Sequence, residues 1–366
     1  MRVVMFYHSL ISDWNHGNAH FLRGIVSELS ARGHDVRVYE PRGSWSLSNL
    51  LAEHGDAPIA AFRANYPGLR STLYDPAVLD LEAWLDGADL VIVHEWNTPE
   101  LVRIIGEQRA SSRHFKLLFH DTHHRAVSAR DQLARYDLRN YDGVLAFGDV
   151  LRDLYVTQSW IQRAWTWHEA ADTRRFQPLA GAVHADDLVW IGNWGDGERS
   201  QELHEFLLGP VAELRLSASV FGVRYPDNAR SAIEQSGARY RGWLPNFAAP
   251  AVFATHRVTV HIPRRYYARA LPGIPTIRVF EALACGIPLI CAPWDDSERL
   301  FVSGSDYLVA RNGAEMKQRL RDVLADRELA RQLAEHGRRT IERRHTCAHR
   351  VDELLDVVRQ LRGAAA

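Results

Sequence analysis

Short apolar runs separated by amphipathic stretches recur along the first half of the chain, the sequence form of a parallel sheet covered by helices on both faces. Runs at 3–7, 35–39, 90–94, 115–120, 143–147 and 161–167 read as strands, and the periodic stretches 19–31, closed by Gly33, and 99–109 read as helices. Residues 41–77, rich in Ser, Pro and Gly, break the rhythm and predict a less regular excursion at the sheet edge. A second alternating series begins at 187–191 and continues through 217–221, 258–262 and 288–291, with helices after Arg199, Thr276 and Asp295. Two such series predict an α/β protein of two doubly wound, Rossmann-like domains. Pro178 and Gly181 mark the join, giving a first domain at 1–171, a linker at 172–185 and a second domain at 186–343. Three strongly periodic helices at 314–324, 327–343 and 346–361 close the chain, and residues 344–366 are expected to pack back on the first domain.

Length supports two cores, since 366 residues exceed what one hydrophobic core usually organises. With 44 basic and 45 acidic side chains the net charge is −1, so no global field draws nucleic acid or an anionic membrane. Lys116 and Lys317 are the only lysines, and neither sits in a loop suited to a Schiff-base cofactor such as pyridoxal phosphate. Cys285, Cys291 and Cys347 cannot build a disulfide framework and read as small core residues in a reducing cytosol. The apolar run at 3–7 is broken at once by His8 and reads as a first strand rather than a signal peptide. No run of 18 apolar residues occurs, so no integral membrane segment is expected and the cytoplasm is the expected location.

The densest chemistry lies at 273–293, a Gly/Pro-rich loop holding Gly273 and Thr276, a short helix with Arg278 and Glu281, a stop at Gly286 and a buried strand. Loop amides at a helix N-terminus hold phosphate, and a nearby carboxylate accepts ribose hydroxyls. The run Phe280-Glu281-Ala282-Leu283-Ala284-Cys285-Gly286-Ile287-Pro288 resembles the donor-site signature of GT-B glycosyltransferases, which use nucleotide sugars. Residues 169–178, Glu-Ala-Ala-Asp-Thr-Arg-Arg-Phe-Gln-Pro, resemble the segment that leads out of the first domain in that family. The large retaining branch carries a second carboxylate where this chain has Gly273. The spore-maturation-protein-like transferases lack it and are similar in Arg278-Val279-Phe280-Glu281, Ala284-Cys285-Gly286 and His345-Thr346-Cys347-Ala348-His349-Arg350. The resemblance implies the GT-B fold, two domains facing across a cleft that closes on the donor, and a metal-independent, retaining transferase with no cofactor beyond its substrate, a UDP-sugar first among the candidates.

In open α/β sheets ligands bind beyond the carboxyl ends of the strands. The second domain opens there with Gly192-Asn193-Trp194-Gly195-Asp196-Gly197-Glu198-Arg199. Arg199 is the expected diphosphate ligand, because its planar fork bonds two phosphate oxygens at once. No lysine follows it, so the second cation must be another Arg, such as Arg264, Arg265 or Arg278, and Arg278 is expected to join Arg199 on the diphosphate. In the first domain Gly17 and Asn18 precede a helix on the sugar and acceptor side, against the alternative of an Asn18 helix cap. His120-Asp121-Thr122-His123-His124 raises the question of zinc, but no Glu-x-x-His frame surrounds it, and no metal site is expected. The resemblance makes His120 the group facing the transferred sugar, with Asp121 orienting its imidazole. Glu95 reads as a charge at a helix N-terminus. His345 and His349 read as two packing groups on one helix face. Trp14, Trp194 and Trp243 are candidates to stack on a base or sugar, though most tryptophans belong to the core.

These observations predict sugar transfer from a nucleoside-diphosphate sugar to an unidentified acceptor. The alternatives are a nucleotide-sugar 2-epimerase, which needs no acceptor, and a nucleotide-binding module of the same fold without turnover.

Overall fold

The computed structural model describes residues 1–112 and 114–363. They form two compact units, Met1–Glu169 with the C-terminal helix, and Ala170–Thr346.

In the first unit, strands β1 (Arg2–Phe6), β2 (Asp35–Pro41), β3 (Ser71–Tyr74), β4 (Leu90–His94), β5 (Lys116–Asp121), β6 (Gly143–Ala146) and β7 (Ala164–Thr166) form one sheet in the order β3-β2-β1-β4-β5-β6-β7. Every pairing is parallel. Central strands β1, β4 and β5 have both faces covered, which is why they read as continuous apolar runs; Val3, Val4, Leu90, Val91, Leu117 and Leu118 are all fully buried. Each such side chain contributes about 1.5–3 kcal/mol on burial. The helix Ala19–Ala31 ends where Gly33 turns left-handed at φ +80° and its N–H donates to Ser30 O. The helix Cys347–Gly363 belongs to this unit: Trp167 Nε1 donates to Arg350 O at 2.8 Å and Arg32 pairs with Asp352 at 2.5 Å.

Residues 41–77 are more regular than their composition predicts. They hold helices Trp45–His54 and Ala57–Asn65 and the edge strand β3. The missing signal is physical. The first helix buries only Ser46, Leu47 and Leu50, the second only Phe62, and β3 is half-buried at the edge, so no long apolar run forms.

In the second unit, β8 (Asp186–Ile191), β9 (Ala218–Phe221), β10 (Arg239–Gly242), β11 (His256–His261), β12 (Leu289–Cys291) and β13 (Leu308–Val309) form a parallel sheet in the order β10-β9-β8-β11-β12-β13. Edge strands β10 and β13 escape prediction for the same reason as β3: one is half exposed and polar, and the other has two residues. The expected helix after Asp295 is absent. There Asp296 accepts from the N–H groups of Leu300 and Phe301, and Asp306 from Val302, so carboxylates take donors that a helix would have used. His345 and His349 do not share a helix either. His345 ends the helix Arg327–Arg344, while His349 lies in the first turn of Cys347–Gly363.

Candidate active site

In both sheets the order reverses beside the first strand of the unit, at β1/β4 and at β8/β11, and ligand crevices open beyond the carboxyl ends of such strands. In the second unit the loop after β8 turns sharply through Gly195, Asp196 and Gly197, all at positive φ, and lays Arg199 back across the strand ends. A Cβ on Gly195 would stand 2.8 Å from Arg199 Cγ, so only glycine permits this approach. Arg199 is 9% exposed, and its donors meet neutral oxygens: Nη1 donates to Ile262 O at 2.9 Å, and Nη2 to Asn193 O and Oδ1, both at 2.8 Å. Its Nε is buried without a partner, and among the described residues no carboxylate pairs with it. Burial, and then the neighbouring Arg264, hold its pKa below the ordinary guanidinium value.

Arg264 Nη2 donates to the same Asn193 Oδ1 at 3.2 Å and Nη1 to Glu198 at 3.0 Å. Two guanidinium groups thus converge on one amide oxygen. Arg265 is held by Glu202 at 2.9 Å, and Arg278 pairs with Glu281. Of the three arginines expected to supply a second cation, Arg264 shares Asn193 Oδ1 with Arg199, while Arg278, whose charge also acts on Arg199, pairs with Glu281.

Glu281 is fully buried on the helix Ile277–Ala284, between Arg278 and the Asn246 amide, which donates to its Oε1 at 2.7 Å. Thr276 is the N-cap residue of that helix, and its hydroxyl shares a 3.1 Å hydrogen bond with His261 Nε2 at the end of β11. Burial and then Arg199 push the His261 pKa down to about 3, so its imidazole is neutral. Gly273 takes φ +85°, and a Cβ there would meet Glu298 Cγ at 2.6 Å. The Gly192 amide is already spent on Phe221 O at 2.9 Å, so Gly192 contributes the tight turn rather than a donor. Asn246 carries no motif that would single it out along the chain; it reaches Glu281 from a separate loop.

In the first unit the ends of β1, β4 and β5 bring together Tyr7, His8, His94, Glu95, His120 and Asp121. His120 is 1% exposed, the Tyr7 hydroxyl hydrogen-bonds its Nδ1, and its Nε2 has no partner among the described residues. Burial drives the His120 pKa down to about 3. Asp121 does not orient this ring. Neighbours on a strand point to opposite faces, and Asp121 instead accepts from Tyr155 OH at 2.8 Å and His123 N–H at 3.0 Å. Asn18 does not cap its helix with its side chain; its Nδ2 donates to Thr122 Oγ1 at 3.0 Å, and Gly17 lies just before it. Glu95 is no helix-end charge but fully buried, accepting from Arg125 Nη2 at 2.7 Å and Nε at 3.0 Å and from Thr122 N–H at 2.9 Å. Burial and then Asp121 push its pKa up to about 8. Among the described residues no three His, Cys, Asp or Glu side chains are grouped so as to hold a metal ion. Trp14 and Trp194 are both buried.

Two parallel, doubly wound units make up the GT-B fold. Residues 199–356 match the family model described as glycosyl transferase-like. Similar folds are sucrose-phosphate synthase from Thermosynechococcus elongatus (14% identity, covering 100% of both chains, TM-score 0.69) and the Anabaena HepE protein in complex with UDP and glucose (12% identity, covering 98% of this chain and 99% of that one, TM-score 0.69). An alpha-glucosyltransferase in complex with UDP and a 13-mer DNA aligns at 13% identity over 98% of this chain and 99% of its own, with TM-score 0.68. No curated protein sequence matches the chain. With these three solved structures the chain shares the GT-B architecture. Among the described residues no helix is long and apolar enough to cross a membrane.

Proposed function

We propose that the enzyme takes its sugar from a nucleoside-diphosphate sugar, a UDP-sugar first among the candidates, and transfers it without a metal ion and with retention of configuration. The observation that carries the reading is Arg199, a buried cation with no carboxylate partner and an unmatched Nε, sharing Asn193 Oδ1 with Arg264. Two like charges held together in a low-dielectric site call for an anion, and a diphosphate supplies one with oxygens to spare. As the bond to the sugar breaks, charge grows on the leaving diphosphate, and fixed guanidinium groups stabilise it without reorganising. That is the work a metal would otherwise do. Glu281, fixed by Arg278 and Asn246, accepts the ribose hydroxyls. The helix Ile277–Ala284, entered through Gly273 and Thr276, adds its N-terminal amides to the phosphate site.

His120 is the catalytic group facing the transferred sugar, in our reading. Burial keeps its ring neutral, and its unpartnered Nε2 suits a sugar hydroxyl, with Tyr7 as the positioning residue. Asp121 supports the loop after β5 through His123 rather than the chemistry directly. Retention and the kinship to the spore-maturation-protein-like transferases rest on the Arg278 to Gly286 and His345 to Arg350 segments. The cytoplasm is the proposed location. Uracil as the base is supported by the structures of HepE and the alpha-glucosyltransferase, which are in complex with UDP.

Calorimetric titration with UDP, GDP, ADP and TDP, in EDTA and then with magnesium, tests the reading. One nucleotide should bind tightly in EDTA, and Glu281→Ala should weaken it. Folded protein that binds none of the four would overturn the donor assignment.

A further inference from the structure

The loop after β1 and the helix Trp45–His54 build a row of rings that the donor reading does not use. His16 is half-buried between two indoles, with ring centroids 6.1 Å from Trp45 and 6.0 Å from Trp96. Trp45 is 49% and Trp96 39% exposed, and they stand out among the exposed large hydrophobic side chains, most of which are aliphatic. Behind them His8 lies 4.3 Å from the His16 ring, its Nε2 3.4 Å from His16 Nδ1. That contact couples the tautomers of the two rings, since one nitrogen donates and the other accepts. The remaining nitrogen of His16, Nε2, makes no hydrogen bond among the described residues, and His8, 6% exposed, keeps a buried Nδ1 without a partner.

The charge state selects the ligand. Burial lowers the pKa of His16 to about 4 and holds His8 well below the usual value, so both rings are neutral near pH 7. The nearest cation, Arg125, lies over the Trp96 ring at 4.3 Å but is bound bidentately by Glu95. The neighbouring carboxylates are engaged: Asp13, whose carbonyl accepts from the His16 N–H, pairs with Arg23, and Glu53 accepts from Trp14 Nε1 at 2.8 Å. Nothing here matches a phosphate, a sulfate or an amine. Although Arg125 covers part of the Trp96 ring and Trp14 packs edge-on against Trp45, the exposed surface of both indoles attracts the polarised C–H face of a pyranose, and a neutral imidazole nitrogen meets its hydroxyls. An alkyl chain would satisfy the indoles but leave the imidazole nitrogen without a partner.

We infer that Trp45, His16 and Trp96 form a subsite for an uncharged sugar ring, so that the acceptor is a neutral carbohydrate. That the bound sugar serves as acceptor rests on the glycosyltransferase reading above, but the subsite itself does not depend on the donor. It also accounts for the placement of the helix Trp45–His54, which brings an indole to the mouth of the β1 loop.

The test is a glycan array of neutral, phosphorylated, sulfated and uronic-acid oligosaccharides, probed with the full chain, followed by calorimetry with the best neutral binder and, separately, with UDP. Neutral glycans should be captured. Trp45→Ala and Trp96→Ala should each weaken them by about tenfold, equivalent to about 1.4 kcal/mol, with UDP affinity unchanged. Trp96→Phe, which keeps a ring over Arg125, guards against a folding defect and should retain part of the affinity. Capture of anionic glycans alone, no capture by protein that binds UDP, or tryptophan variants with unaltered affinity would each overturn the subsite. Neutral-glycan binding without any nucleotide binding would strike the donor reading and leave the subsite standing.

Discussion

Arg199 Nη2 lies 2.8 Å from the side-chain oxygen of Asn193, an oxygen that also accepts from a second guanidinium. Glu198 already pairs with Arg264, but Arg199 meets only neutral oxygens, and phosphate oxygens are a stronger answer to its buried charge. Arg199→Lys keeps a charge but loses the fork. We expect it to lower kcat by at least about 100-fold, the scale on which removing one oxyanion donor acts. Arg264→Lys should cost less, because Glu198 already shares its charge. Initial-rate assays with the identified donor, beside thermal melts, decide this; wild-type turnover in Arg199→Lys would remove the residue from the mechanism.

Glu281 is best probed through the ribose. Losing a hydrogen bond to a charged group costs about 1.5–3 kcal/mol, so Glu281→Gln should weaken the cognate nucleotide by about tenfold or more. The same nucleotide with deoxyribose should bind the wild type more weakly and the variant almost equally. A variant that still discriminates ribose from deoxyribose would place the hydroxyl contact elsewhere.

Arg125 holds the fully buried Glu95 through two N–H donors, and with the Glu95 pKa near 8 the pair carries both charges only above that pH. Arg125→Ala leaves that carboxylate to protonate or to remain charged without a partner, and breaking such a buried pair costs about 3–5 kcal/mol. Urea denaturation at pH 9, where Glu95 is ionised, should show this as a fall in midpoint with little change in slope. Full stability in the variant would mean that Glu95 is already protonated in the native state.

Acid should loosen the first unit through its buried imidazoles. The His120 pKa is depressed in the fold to about 3, so below the unfolded value near 6.5 only the unfolded chain takes up its proton. Its contribution is complete above pH 6.5 and is lost as the pH falls towards the folded value, at up to about 1.4 kcal/mol per unit. Between pH 7.5 and 5, His120→Asn should therefore lose about 2 kcal/mol less stability than the wild type. Equal losses in the two proteins would show that His120 titrates normally.

The alternating apolar runs announced a parallel α/β architecture because strands covered on both faces have no polar face to interrupt them. The helix Ile277–Ala284 was equally legible, since Gly273, Thr276, Arg278 and Glu281 are neighbours in the chain. The edge strands β3, β10 and β13 were not, because half-exposed or very short strands carry no such run. Asp121 was misread for a related reason: adjacency in sequence suggested that it orients His120, whereas strand pleating sends the two side chains to opposite faces.

Architecture, donor-side motif, scarcity of lysine and near-zero net charge all follow from the order and kinds of residue alone, because each is a local or summed property of the chain. The partners that each site residue takes are settled in three dimensions. Asn246 meets Glu281, and Arg264 meets Arg199, from distant points of the chain, while Arg278 stays committed to its own helix. Trp45 joins His16 only because the helix Trp45–His54 packs beside the β1 loop. Such encounters are fixed by which strands lie side by side, and that order arises when the whole core is buried at once, not from any one segment's preference.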